Sequence, residues 1–240
     1  DWRVTARSSV PHVKLFREER ERPVWLLVDM GPGMRFGTRV AFKSVIAARA
    51  AALLAWAAAD KGDRVGGLVF DERAHLECRP AARSRALLPL LKSLSESPLS
   101  GRPGGYGYLS AGRHLMSLVR PGSLVFLLSD FYGFGQHDGD WMARLGSTSE
   151  LVLVHIYDAL EAVAPPAGLY PVSDGIDQSL FDTGSAALRR TWSQRFAEHV
   201  ETLEAMCSRY RAHLISLRTD QAVGQTLSLE LQPRGVRAGG

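Results

Sequence analysis

The sequence predicts an α/β protein with a doubly wound, mostly parallel sheet, and three observations carry that expectation. Two unbroken apolar runs, residues 24–28 and 124–128, each stop at or next to a carboxylate, Asp29 and Asp130. Runs of this kind read as strands buried on both faces, which belong in the middle of parallel sheets. Helix-like stretches alternate with such strands along most of the chain. Open α/β sheets place ligands at the C-terminal ends of their strands, so the two aspartates suggest one site fed from two strand tips.

Taken in order, residues 2–7 and 12–17 alternate on either side of a Ser8-Ser9-Val10-Pro11 turn. That pattern is an antiparallel hairpin on a sheet edge. The buried strand to Asp29 follows, then a glycine-rich turn over 31–37. Alanine and leucine dominate 40–59, a helix of high intrinsic propensity that Asp60-Lys61-Gly62-Asp63 stops. A strand at 64–70 pairs with one at 74–78 across a short turn. A helix over 84–94 carries Leu87, Leu88, Leu91 and Leu94 at helical spacing. A long Ser/Pro/Gly loop, 95–106, precedes a short helix near 109–119 and the second aspartate-tipped strand. After an irregular loop at 131–140 comes a buried strand at 151–157, then a small hairpin of 169–172 with 178–181. The helix over 185–210 sets Leu188, Trp192, Phe196, Val200, Leu203, Cys207 and Tyr210 on one face. A last strand at 214–217 leads to Thr219-Asp220, expected to cap a final helix. The domain reading is therefore an N-terminal hairpin at 1–22, a main domain at 23–231 and a flexible tail at 232–240.

The chain's 240 residues suffice for one large α/β domain, and its 45% hydrophobic and 22% charged content is ordinary for a globular protein. A net charge of +4 comes from arginines scattered among acids, as in residues 17–22, which reads as a solvated face and not a nucleic-acid site. Cys78 and Cys207 form no CxxC pair, which suits small buried thiols in a reducing, cytoplasmic setting. The longest helix-like apolar stretch, 45–59, contains Arg49 and is too short to span a bilayer. The chain opens at Asp1, so a preceding segment is expected, and a membrane tether at the inner face of the membrane could lie in it.

Three tempting motifs fail. Gly31, Gly33 and Gly37 follow a strand, but Phe36 stands where a dinucleotide fingerprint needs a glycine, and Asp29 would repel a pyrophosphate. Residues 37–44 approximate a phosphate-binding loop, yet Phe42 replaces the glycine that lets amides approach phosphate, so Lys43 is expected as a surface lysine. His137, Asp138 and Asp140 are metal-friendly types expected to be solvated.

The sequence does resemble a von Willebrand factor A-type domain, of the bacterial uncharacterised-domain family numbered fifty-eight, encoded beside MoxR-type AAA+ ATPases. The match is carried by Asp1-Trp2-Arg3-Val4-Thr5-Ala6-Arg7, residues 13–18, Leu26-Leu27-Val28-Asp29 and Gly62-Asp63-Arg64-Val65-Gly66. Leu127-Leu128-Ser129-Asp130-Phe131 and Asp158-Ala159-Leu160-Glu161 extend it. The resemblance implies a metal-ion-dependent adhesion site with a D-x-S-x-S turn, a threonine from a second loop and an aspartate from a third. Here Gly31, Gly33 and Gly107 occupy the hydroxyl positions, leaving Asp29 and Asp130 as metal ligands of a degenerate site. No cofactor is expected beyond weak magnesium binding, which needs near-octahedral oxygen ligands. Restoring Ser, Ser and Thr is expected to raise metal affinity.

The function expected is a non-enzymatic protein-interaction module, an adaptor for a MoxR-type ATPase acting on a client complex, with no nucleic acid involved. A metal-assisted hydrolase using Asp29 and Asp130 is the alternative. Met34, Arg35, Phe36, Tyr106, Tyr108, Phe131, Tyr132 and Phe134 form the expected partner-binding rim, because aromatics and arginine anchor interfaces.

Overall fold

The fold was taken from a computed structural model that describes residues 21–82, 87–96, 106–135, 138–173 and 178–231. The expected N-terminal hairpin, the tail and most of the 95–106 loop lie outside them.

The apolar run ending at Asp29 is strand β1, Pro23–Asp29, and it sits inside the sheet with its residues from Val24 onward buried. Helix α1, Lys43–Asp60, returns the chain to β2, Arg64–Phe70, which pairs with β1 in parallel. β3, His75–Ala81, turns back antiparallel on β2 as the edge strand. Helices α2, Leu87–Ser95, and α3, Tyr108–Leu118, then carry the chain across to β4, Leu124–Ser129, on the other side of β1. Helix α4, Asp138–Thr148, leads to β5, Glu150–Tyr157, and the single turn α5, Ala159–Ala162, follows it. A separate ribbon of β6, Leu169–Ser173, and β7, Gln178–Asp182, precedes the long helix α6, Ala186–Tyr210. Strand β8, Ala212–Arg218, closes the sheet and α7, Val223–Glu230, ends the described chain. The sheet order is β3-β2-β1-β4-β5-β8, parallel except at β3.

Alternation along the strands builds two cores. Val24, Leu26 and Val28 face α1, α2 and α7, whereas Trp25 and Leu27 face α3, α4 and α6. The fold is thus doubly wound. After β1 the chain winds outward through β2, and after β4 it winds outward the other way. The crevice between the tips of β1 and β4 is the topological switch point, the place such sheets offer to ligands.

Some expected elements differ. Helix α4 begins inside the irregular loop expected at 131–140, in a segment where Gly139, Gly146 and the Ser/Thr tail are poor helix formers. It forms because Trp141, Met142 and Leu145 are buried in the second core. Asp138 is not solvated: it is 4% exposed and accepts hydrogen bonds from the Gly135 amide and the Trp141 indole, which starts the helix. Thr219 does not cap α7, whose N-cap is Ala222; its hydroxyl goes to Asp158 instead, at 2.6 Å.

Candidate functional site at the strand tips

Register places Val28 of β1 against Leu128 of β4, so Asp29 and Asp130 emerge from adjacent parallel tips as the sequence implies. Both are buried, at 6% and 3% exposure. Their surroundings differ sharply.

Asp29 is held by neutral donors. Its Oδ1 accepts the Gly31 amide at 2.7 Å. Its Oδ2 accepts the Tyr108 hydroxyl at 2.6 Å and the Ser129 hydroxyl at 2.7 Å, and those two hydroxyls also touch each other. Burial pushes its pKa above the ordinary carboxylate value and the nearby Asp130 charge adds to that, against the pull of these hydrogen bonds. The Tyr108 hydroxyl is pushed well up by burial and by the two carboxylates, so it remains a donor.

Asp130 is held by a cation. Lys43, the first residue of α1, is 1% exposed, and its Nζ donates to Asp130 Oδ2 at 2.8 Å and to Glu161 Oε1 at 2.6 Å. The sequence reading of Lys43 as a surface lysine is therefore wrong. The loop of residues 35–42 folds back so that the Lys43 amide bonds the Phe36 carbonyl, and this aims the side chain down into the crevice. The rings of Phe36 and Tyr132 lie 5.9 and 5.8 Å from Nζ, within the range of cation–π attraction. Asp130 Oδ1 accepts the Tyr132 amide, and the Asp130 carbonyl meets His199 Nε2 from α6 at 2.8 Å.

Glu161 comes from a capping box. Its other oxygen, Oε2, accepts the Asp158 amide, while the Asp158 side chain accepts the Leu160 amide. Asp158 also accepts hydroxyls of Thr38 and Thr219, tying together the loops after β1, β5 and β8. Burial raises its pKa, but the bonds from Thr219, Thr38 and the Leu160 amide outweigh that and hold it below the ordinary value.

These contacts bear on a metal ion. All four oxygens of Asp29 and Asp130 already accept hydrogen bonds, and an ammonium stands against Asp130. A Cβ on Gly33 would come within 2.6 Å of Asp130 Oδ2, and one on Gly31 within 2.9 Å of Asp29 Oδ1. Serines there would displace carboxylates that are firmly held. Among the described residues no group of three or more His, Cys, Asp and Glu side chains is disposed to hold a metal. The residues present do not fit a divalent cation unless the Lys43 ammonium is displaced from Asp130.

The expected rim divides. Met34 is fully buried and Phe131 2% exposed, so both pack the core and neither reaches a partner, a correction to the sequence reading. Phe131 also has a φ of 60°, a left-handed conformation rare outside glycine, compensated by ring contacts with Tyr108 and Phe134. Tyr108 spends its hydroxyl on Asp29. Tyr106 stacks on His75, and Phe134 packs on Trp141; both are partly buried. Arg35 is exposed but one of its guanidinium nitrogens donates to both carboxylate oxygens of Glu72. Phe36, at 38%, and Tyr132, at 50%, remain open to solvent, Tyr132 lying flat on His199 with centroids 4.0 Å apart.

Sequence reasoning missed Lys43, Ser129, Glu161 and His199. A signal existed for two of them. A lysine at the first helical position opposes the helix dipole and needs another reason to be there. Asp158-x-x-Glu161 is a capping box legible in the letters.

Residues 1–202 match the family model described as protein of unknown function DUF58. Uncharacterised proteins of Mycobacterium tuberculosis and Mycobacterium bovis are each 28% identical over 232 residues, which cover 92% of this chain and 70% of theirs. Among solved structures, BatB, a conserved hypothetical protein from Bacteroides thetaiotaomicron, is similar in fold. It has a TM-score of 0.51 at 14% identity, over 87% of this chain and 95% of that one.

Proposed function

The chain belongs to the DUF58 family of proteins of unknown function, and from that premise we propose that it is a non-enzymatic protein-interaction module. Its strand-tip site is a metal-ion-dependent adhesion site in which the Lys43 ammonium stands in for the metal. The observation that carries this reading is the pair of Lys43 bonds to Asp130 and Glu161, made by a lysine that is 1% exposed. A covalently tethered cation bridges Asp130 and Glu161 permanently, so the face around it keeps one shape whatever the ion concentration. The Asp29 and Asp130 oxygens that a metal-assisted hydrolase would use already accept hydrogen bonds, which weighs against that alternative.

The partner face is the open edge beside that cation, with Phe36 and Tyr132 at its centre. A MoxR-type AAA+ ATPase and its client are the partners that the family resemblance favours. Work in the cytoplasm, or at the inner face of the membrane, goes with that assignment. Among the described residues no helix is long and apolar enough to cross a membrane.

The test is binding of the purified chain to the MoxR-type ATPase of the same organism, followed by biolayer interferometry. Phe36→Ala with Tyr132→Ala is expected to weaken binding at least tenfold while lowering stability by no more than ~1–1.5 kcal/mol, since both rings are half exposed. Magnesium and chelator should make no difference. Binding that requires magnesium, or that ignores the double substitution, would overturn the reading.

A further inference from the structure

Helix α6 is longer than the sheet it covers. Its 25 residues span about 37 Å at the usual helical rise, whereas the seven residues of β8 span about 23 Å. The chain turns from α6 into β8 at Arg211, whose φ is 54°, so the helix runs antiparallel to the strands. Its C-terminal half therefore lies on the sheet, and its N-terminal half projects beyond the strand tips. Burial agrees. Leu203 and Cys207 are the buried residues of α6, whereas Leu188 is 36% exposed.

The projecting half is not polar on all sides. Leu188, Trp192, Arg195 and Phe196 recur at i, i+4, i+7 and i+8 and line a groove of about 540 Å³, together with Tyr132 and with Phe181, whose ring packs on Trp192 at 5.3 Å. That volume suits a few side chains. Two of its polar groups are already committed: the Trp192 indole donates to the Leu160 and Glu161 carbonyls, and the Glu161 carboxylate is paired with Lys43. Arg195 is different. It is exposed and has no partner among the described residues.

An apolar groove walled by a tryptophan and one uncommitted guanidinium calls for an occupant with both characters. We propose that the groove docks a segment of a partner protein in which a bulky aliphatic or aromatic side chain lies within a few residues of a carboxylate. The apolar side chain seats among Leu188, Trp192, Phe196 and Phe181, and the carboxylate pairs with Arg195, whose planar fork suits it. Tryptophan and arginine are also the residue types that most often dominate interfaces. This inference rests on the protein-interaction reading and names where and what that surface recognises.

A displayed library of random dodecapeptides, selected on the intact chain, tests it, with synthetic versions of the enriched peptides measured by calorimetry. Leu188 and Arg195 are exposed, so Leu188→Asp and Arg195→Glu should leave the fold intact. Enrichment of peptides pairing an apolar residue with Asp or Glu is expected. Their affinity should fall at least tenfold in each variant and be partly retained in Arg195→Lys. No enrichment, enrichment without carboxylates, or indifference to both substitutions would overturn the proposal. Peptides lost by Phe36→Ala but not by Arg195→Glu would overturn it while leaving the protein-interaction reading standing. A dimer seen in sedimentation and abolished by Leu188→Asp would assign the groove to a second copy instead.

Discussion

Lys43 is the residue on which the site turns, because it ties Asp130 and Glu161 into one closed network. Removing it leaves Asp130 and Glu161 facing each other without a cation, and breaking a buried pair typically costs ~3–5 kcal/mol. Lys43→Met, close in length, is therefore expected to lose about that much in urea unfolding. Adding Asp130→Asn to it should recover a substantial part, since the uncompensated charge is then gone. A double variant as unstable as the sum of its parts would mean that Lys43 acts by packing alone. Asp29 makes the opposite case, a buried carboxylate held only by neutral donors. Its raised pKa means that its favourable contribution is full below the ordinary carboxylate range and is lost as pH rises through the raised value. Asp29→Asn removes that titration. The stability of the variant relative to wild type should therefore climb as pH rises above the ordinary carboxylate value, measured by thermal melts across the range. His155 works the other way: burial, with His199 and Lys43 beside it, pushes its pKa down to about 3, so it withdraws stability as pH falls. The Asp29 comparison at each pH cancels this background.

At the scale of elements, α6 shows how far a hydrophobic stripe can be trusted. The sequence places seven apolar residues on one face of 185–210, and the period is right. Only the half over the sheet is buried, because a stripe reports which face is apolar and not where the neighbouring layer ends. Leu203→Ala is accordingly expected to cost ~2–5 kcal/mol in equilibrium unfolding, and Leu188→Ala no more than ~0.5. Equal costs would mean that the projecting half is packed after all. The same reasoning explains what was legible. β1, β2, β4 and β5 announce themselves because strands buried on both faces must be continuously apolar. Helix α4 hides because its signal is a short set of apolar contacts, Trp141, Met142 and Leu145, against poor local propensity. Tertiary burial decided that segment, and the letters of the segment alone do not contain it. The aspartates of the site were legible for the same reason as the strands they end. Its cation was not, because Lys43 and Glu161 are 118 positions apart and meet only through the sheet order.

Across the whole molecule, the strand-tip edge collects the loops after β1, β4, β5 and β8, and Lys43, Asp130, Glu161, Asp158 and Thr219 bind them into one unit. Metal chemistry cannot then be returned to this edge one residue at a time. The sequence alone suggests that Gly31→Ser, Gly33→Ser and Gly107→Thr would rebuild the ligand set. Gly107 has open space around it, but a Cβ at Gly33 meets Asp130 at 2.6 Å, and the Lys43 ammonium still stands against Asp130. The triple variant should therefore be destabilised and take up no magnesium or manganese in calorimetric titration up to about 1 mM, as wild type also should not. Adding Lys43→Ala frees Asp130 to move away from residue 33 and restores an unpaired negative charge, which a hard dication satisfies better than water does. Saturable, stoichiometric binding is expected in that quadruple variant alone, with a matching rise in melting temperature as ion is added. If the triple variant bound metal with Lys43 in place, the ammonium would not be the substitute for the ion, and the interaction face would have to be rebuilt around a metal.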